Sequence, residues 1–153
     1  MEEINRIDDQ LRRAFEGHAW HGPSMREVVA DVTAERAAAR PLSGAHSIWE
    51  IVLHVTAWQV GVRRRVEGER VELPDHEDWP PVTDSSEAAW RHALAALSQT
   101  HTELQSTVSR LADSRLQENV AGKDHSVYVM LHGLIQHNLY HAGQIALLKK
   151  ASR

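Results

Sequence analysis

Four long stretches of this 153-residue chain repeat their apolar residues every three to four positions, and none alternates them usefully every second position. A period near 3.6 belongs to amphipathic helices and a period of two to half-buried strands, so the chain is expected to be all-α. The first stretch, about 2 to 18, sets Ile4, Ile7, Leu11, Ala14 and Phe15 on one stripe. "GPS" at 22–24 breaks it; Ser24 can cap a short helix to Val32, and Thr33 another turn before Arg40-Pro41. The second opens at "HSIWE", where Ser47 and Glu50 have the S-x-x-E spacing of a capping box, and runs to about Glu67 before Gly68 stops it. The third runs from "DSSE" to about Leu111, with Trp90, Leu94, Leu97, His101, Leu104 and Val108 in its stripe. The fourth covers about 125 to 150, after a possible short turn and Gly122.

Residues 69–84 hold three prolines and no period, which predicts a long loop with room for a crossover. The expected fold is a four-helix bundle, with short extra helices between the first and second long helices and this loop between the second and third. A chain of this length fits a single domain, 1–153, with a core that needs no staples.

Composition excludes several kinds of chemistry. There is no cysteine, hence no disulfide, thiolate ligand or cysteine nucleophile, and this fits a reducing cytoplasm. Net charge is -4 with both signs well mixed, so no nucleic-acid partner is expected. No apolar run reaches the roughly 18 residues a membrane span needs, and the acidic start "MEEINRIDDQ" is unlike a signal peptide. What is abnormal is eleven histidines and five tryptophans beside one phenylalanine.

Two of those histidines lie in "LIQHNLYHAGQIALLKK", residues 134–150. Residues four apart share a helix face, so His137 and His141 can converge on one cation, and Gln144 continues their column. Chance in a histidine-rich chain produces the same spacing, and the glutamate that makes H-E-x-x-H specific is missing. Bundles build metal sites from facing helices, and the second helix offers His54 at the edge of its stripe Ile51, Val55, Trp58 and Val62. Its other reading is a core histidine bonded to a backbone carbonyl. His101 competes from the middle of the third stripe; a buried imidazole needs an acceptor or a metal, and it is read as structural or as a support to the site. His18, His21, His46, His76, His92, His125 and His132 fall at helix ends, in loops or on polar faces, and of these His21, His46 and His76 could reach a site mouth. Arg63, Arg64 and Arg65 read mostly as a solvated face and a favourable charge for a helix C-terminus.

"SIWEIVLHVTAWQ", then "DWPP", then "LIQHNLYHAGQIALLKK" resemble the DinB-like (damage-inducible, YfiT-related) helical-bundle superfamily, and the resemblance covers nearly the whole chain. It implies a divalent-metal triad on His54, His137 and His141, with zinc or nickel as the usual ion. It also implies frequent homodimers, and in some members transfer of small thiol cofactors to electrophiles. Three neutral imidazoles leave coordination positions open, the mark of a catalytic rather than a closed site, and a metal so held lowers the pKa of bound water or thiol. The expected function is a metal-dependent transferase or hydrolase acting on a small molecule, with thiol-dependent transfer as one form of it. The alternative is a non-catalytic metal-binding or stress-associated dimer. Glu50 is the candidate catalytic group, as orienter of His54 or proton acceptor, its other role being the capping box. Trp49 and Trp58 are read as packing, and Gln144 either bonds a ligand histidine or bound water or serves helix packing. Trp79 anchors the 69–84 loop, which is expected to border the metal cavity.

The fourth helix also carries a second apolar stripe, Tyr128, Leu131, Ile135, Leu139, Ala142 and Ala146, nearly opposite the metal-facing one. Two apolar faces need two partners: a second copy of the chain, or the short helices of residues 24–40. The resemblance tips this toward a homodimer with a two-fold interface.

Overall fold

The computed structural model describes residues 2–152, and among them the chain is helical with one isolated bridge, Asn119 to Ser126. The long helices are α1 (Glu3–Glu16), α4 (Ile48–Val66), α6 (Glu87–Val108) and α7 (Val127–Ala151). Short helices α2 (Met25–Val29) and α3 (Ala34–Ala38) lie between the first two. Starts follow local side-chain chemistry: Ser24 and Ser47 form capping boxes with Glu27 and Glu50, and Thr33, Ser86 and Ser126 accept from the N–H three residues on. α4 ends where Gly68 turns to φ 93°, letting the next N–H, that of Glu69, reach back to the Arg64 carbonyl at 3.0 Å. α1 has no side-chain cap of its own. Asp113, just beyond α6, accepts from Glu3 N and Ile4 N at 2.9 Å each and supplies one across the bundle.

The 69–84 connection departs from expectation in one respect: Asp75–Asp78 forms a single helical turn, α5. Glu77 N and Asp78 N bond the Pro74 carbonyl, and Trp79 N bonds that of Asp75. One turn is too short to leave a period in the sequence.

Packing pairs α4 with α6 and α7, and α1 with the same two, so the consecutive long helices α1 and α4 stand diagonally. Gln59 meets Thr100 at 2.5 Å and Arg63 meets Glu103 at 3.8 Å, so α4 and α6 run parallel. His54 faces His141 while Trp58 faces His137, so α7 runs against α4. The start of α1 touches Asp113 and its end stacks Phe15 on His101, so α1 runs against α6. The order is up, down, down, up. The 67–86 connection is long because it must carry the chain back to the end of the bundle where α4 began.

Two apolar clusters fill the bundle, one around Phe15, Trp49, Trp90 and Ile145, the other around Ile7, Leu11, Leu104 and Leu131. Three of the four long helices also bury a polar residue away from the triad and the helix ends: Gln59 on α4, His101 on α6 and Asn138 on α7. Thr100 donates to Gln59 Oε1, but among the described residues Gln59 Nε2, both Asn138 amide atoms and both His101 nitrogens have no hydrogen-bond partner. His101 lies in the core, stacked 3.9 Å from Phe15 with Glu16 Oε1 3.4 Å from Nε2, and away from the histidines of α4 and α7.

The second apolar stripe of α7 is covered within the chain. Leu131, Ile135 and Ala142 are buried, α1 and α2 pack on α7, and Lys149 Nζ bonds the Val28 carbonyl. Of that stripe Leu139 and Ala146 are half-buried and Tyr128 is exposed, so its middle is core while its edge reaches the surface. The apolar residues α7 does expose are Tyr128, Val129, Tyr140 and Leu147. No helix among the described residues is long and apolar enough to cross a membrane.

Candidate metal centre

α4 and α7 bring His54, His137 and His141 together, one ring nitrogen from each lying within 4.8 Å of the others. The i, i+4 spacing aligns the α7 pair, with ring centroids 4.4 Å apart. His54 closes the triangle at 4.9 Å from His137 and 4.8 Å from His141. His54 Nε2 and His137 Nε2 stand 2.9 Å apart, a separation from which both can reach one cation at roughly 2.0–2.1 Å.

The outer nitrogens fix the tautomers. His54 Nδ1 donates to the Asp78 carbonyl at 2.7 Å, and His141 Nδ1 donates to Gln144 Oε1 at 2.6 Å. Each bond commits Nδ1 to carrying the proton and leaves Nε2 as a lone pair aimed inward, the support typical of ligating histidines. Desolvation by burial holds all three imidazoles neutral. His137 is lowered to about 3, with His141 and His54 adding repulsion, His141 is lowered to about 4, and His54 is lowered as well. His137 Nδ1 is buried with no hydrogen-bond partner among the described residues. One N–H, on His137 Nε2, can bridge to the His54 Nε2 lone pair, but a cation would engage a ring nitrogen of all three imidazoles at once, so the residues fit a metal.

Asp78 and Trp79, from α5 and its end, complete the surroundings. The Asp78 carboxylate is 3.0 Å from His54 Nδ1 and accepts the Trp58 indole N–H at 2.7 Å. Trp79 stacks 3.8 Å from the His54 ring, and His46 stacks 3.7 Å from the same indole, so the expected border of the cavity by the 69–84 connection is seen. The sequence offered no sign of Asp78; the nearest signal was "DWPP", where it precedes the anchoring tryptophan.

Glu50 is bonded at the start of α4, with its Oε2 also 3.7 Å from Nδ1 of His46. Its Oε2 accepts from Ser47 N at 2.7 Å and its Oε1 pairs with Arg40 at 2.5 Å, so both oxygens serve the cap and a surface ion pair. Burial alone would raise its pKa, but the Ser47 bonds and Arg40 outweigh that and hold it below the usual range. His46 reaches the site mouth through Trp79, whereas His21 bonds the Pro23 carbonyl and His76 stays exposed beside Glu77. Trp49 packs against Trp90 in the core as expected, but Trp58 does more than pack, holding Asp78 and lining a cavity.

Two cavities meet the triad. One, about 420 Å³, is lined by Trp58, Val62, Arg65, Met130, Leu134 and His137 among others. The second, about 410 Å³, is lined by His46, Ile51, Trp79, Tyr140, His141 and Leu148 among others. The reading of Arg63–Arg65 as a solvated face fails at Arg65, which is buried; it lies three residues after Val62, in register with the α4 stripe, and that register was the available signal.

Residues 18–145 match the DinB superfamily. No curated protein and no solved structure matches the chain.

Proposed function

The chain belongs to the DinB superfamily, and from that membership and its own geometry we propose that it is a metal-dependent enzyme joining or cleaving small molecules, with transfer between two of them as the first reading. His54, His137 and His141 would hold one divalent ion, zinc or nickel. When bound, the ion supplies Lewis acidity and lowers the pKa of a coordinated thiol or water. The observation that carries the proposal is the pair of cavities, one ending at His137 and the other at His141. A closed structural site needs neither; a two-substrate transfer needs both. The chain's own residues keep the imidazoles neutral and oriented through Asp78 and Gln144, and Trp79 shields the His54 face from water. A cytoplasmic location and a homodimer belong to the same proposal, the dimer now through Tyr140, Gly143 and Leu147 on the exposed face of α7.

The test is native metal content of untagged protein, followed by turnover screening of the loaded form with small thiols plus electrophiles, and with esters and amides. Metal-dependent turnover of any pair supports the reading. A stoichiometrically loaded protein inert toward all of them favours the non-catalytic alternative.

A further inference from the structure

Of the three consecutive arginines ending α4, only Arg65 turns inward, with 6% of its surface exposed. Nε and Nη2 both donate to the Val71 carbonyl, at 3.2 and 2.9 Å, and the guanidinium carbon lies 5.4 Å from the Trp58 ring centre. Among the described residues no carboxylate pairs with it: the nearby Glu72 is taken by Lys123 at 2.8 Å. A guanidinium carries five N–H donors and a permanent charge, and one neutral carbonyl answers only part of that. A buried charge without a counter-ion is costly, and a bound anion would supply one.

Arg65 forms part of the wall of the cavity that ends at His137. The rest of that wall is largely apolar, through Trp58, Val62, Met130 and Leu134. Its other titratable residues, Lys123 and His125, are basic types, and no aspartate or glutamate lines it. The Trp58 ring lies 5.5 Å from that of His137, so one indole is within reach of both the cation and the triad. A space of this volume holds a small organic molecule. With Lys123 engaged, a single planar fork is left, which suits one carboxylate better than a doubly charged phosphate.

We infer that this cavity binds a small amphipathic carboxylate, its anionic end on Arg65 and its apolar body along Trp58 toward His137. As a statement about the substrate it rests on the function proposed above; as a statement about binding it needs no metal. The competing role for Arg65 is a tether for residues 69–73 through the Val71 carbonyl, and that role predicts no preference for acids.

Calorimetric titration of the full-length protein, metal-loaded and after chelation, with 3-phenylpropanoate and its neutral amide decides between them. The acid should bind about tenfold tighter or better in both forms, as a charge-assisted pair does over a neutral one, and the margin should shrink with added salt. Arg65→Met should bring the acid down to the amide's affinity. If that variant does not fold, the wild-type ratio and its salt dependence still decide. Chelation removes the metal without changing a side chain of this cavity, so a preference that survives it holds whether or not the metal reading does, and the two failures are distinguishable. Equal affinity for acid and amide overturns the inference, as does a preference present only when metal is loaded.

Discussion

His54 donates its Nδ1 proton to the main-chain carbonyl of Asp78 at 2.7 Å, while the Asp78 carboxylate stands 3.0 Å from the same nitrogen and takes the Trp58 indole N–H. One residue of a single-turn helix thus sets the tautomer of a histidine twenty-four positions earlier. Asp78→Ala keeps the carbonyl and removes the carboxylate. Metal affinity should fall about 10–100-fold, as for other residues that orient a ligand, and by less than in His54→Ala. Competition against a chromophoric chelator measures both.

The triad itself makes a sharper demand. His54→Ala, His137→Ala and His141→Ala should each weaken metal binding by orders of magnitude, whereas His92→Ala, exposed on α6, should leave it unchanged. Elemental analysis after gel filtration reads the outcome. Stoichiometric metal in the His137→Ala, His141→Ala double variant would end the assignment.

His101 predicts a pH dependence unrelated to metal. Burial lowers its pKa from 6.5 to about 4, with Glu16 opposing only in part. Such a group binds fewer protons folded than unfolded, so its contribution is intact above about pH 6.5 and is lost as pH falls toward 4. Chelated wild type should therefore lose on the order of 1–2 kcal/mol more stability than His101→Phe between pH 6.5 and 5. Urea melts at the two pH values test this, and the triad histidines cancel because both proteins carry them. Identical losses would show that His101 does not titrate in this range.

Trp79 holds the long connection on the bundle through His54 on one ring face and His46 at 3.7 Å. Trp79→Ala should cost about 1–3 kcal/mol, from two stacked pairs of about 0.5–1.5 kcal/mol each, with Trp79→Phe retaining part. Chemical denaturation gives the magnitude, and protease cleavage within 69–84 should rise in the alanine variant alone.

The oligomer proposal separates two faces of α7. Ile135 is buried inside the chain, so Ile135→Glu should unfold the protein. Tyr140 and Leu147 are exposed, so changing both to Glu should leave the fold intact and yield a monomer. Sedimentation velocity with circular dichroism tells these outcomes apart, and a wild type monomeric at micromolar concentration refutes the dimer.

The amino-acid sequence by itself determined what depends on neighbours a turn apart. The helix period set the four long helices, Ser24, Ser47 and Thr33 set where α2, α4 and α3 start, and the four-residue spacing aligned His137 with His141. These are local because helix geometry converts a fixed separation along the chain into a fixed separation in space. His54 was legible through position and resemblance, but its 2.9 Å approach to His137 spans 83 residues and exists only because α7 packs against α4. Asp78 and the α1 cap from Asp113 left no local trace, since each acts on a backbone or ring brought to it by the fold. Glu50 looked like a site residue because its spacing from His54 is helical, yet its carboxylate turns back to Ser47 and out to Arg40. The coverage of the second α7 stripe was likewise decided by tertiary structure, because two apolar faces state only that two partners exist, and the diagonal placement of α1 and α4 lets α1 and α2 supply the second one.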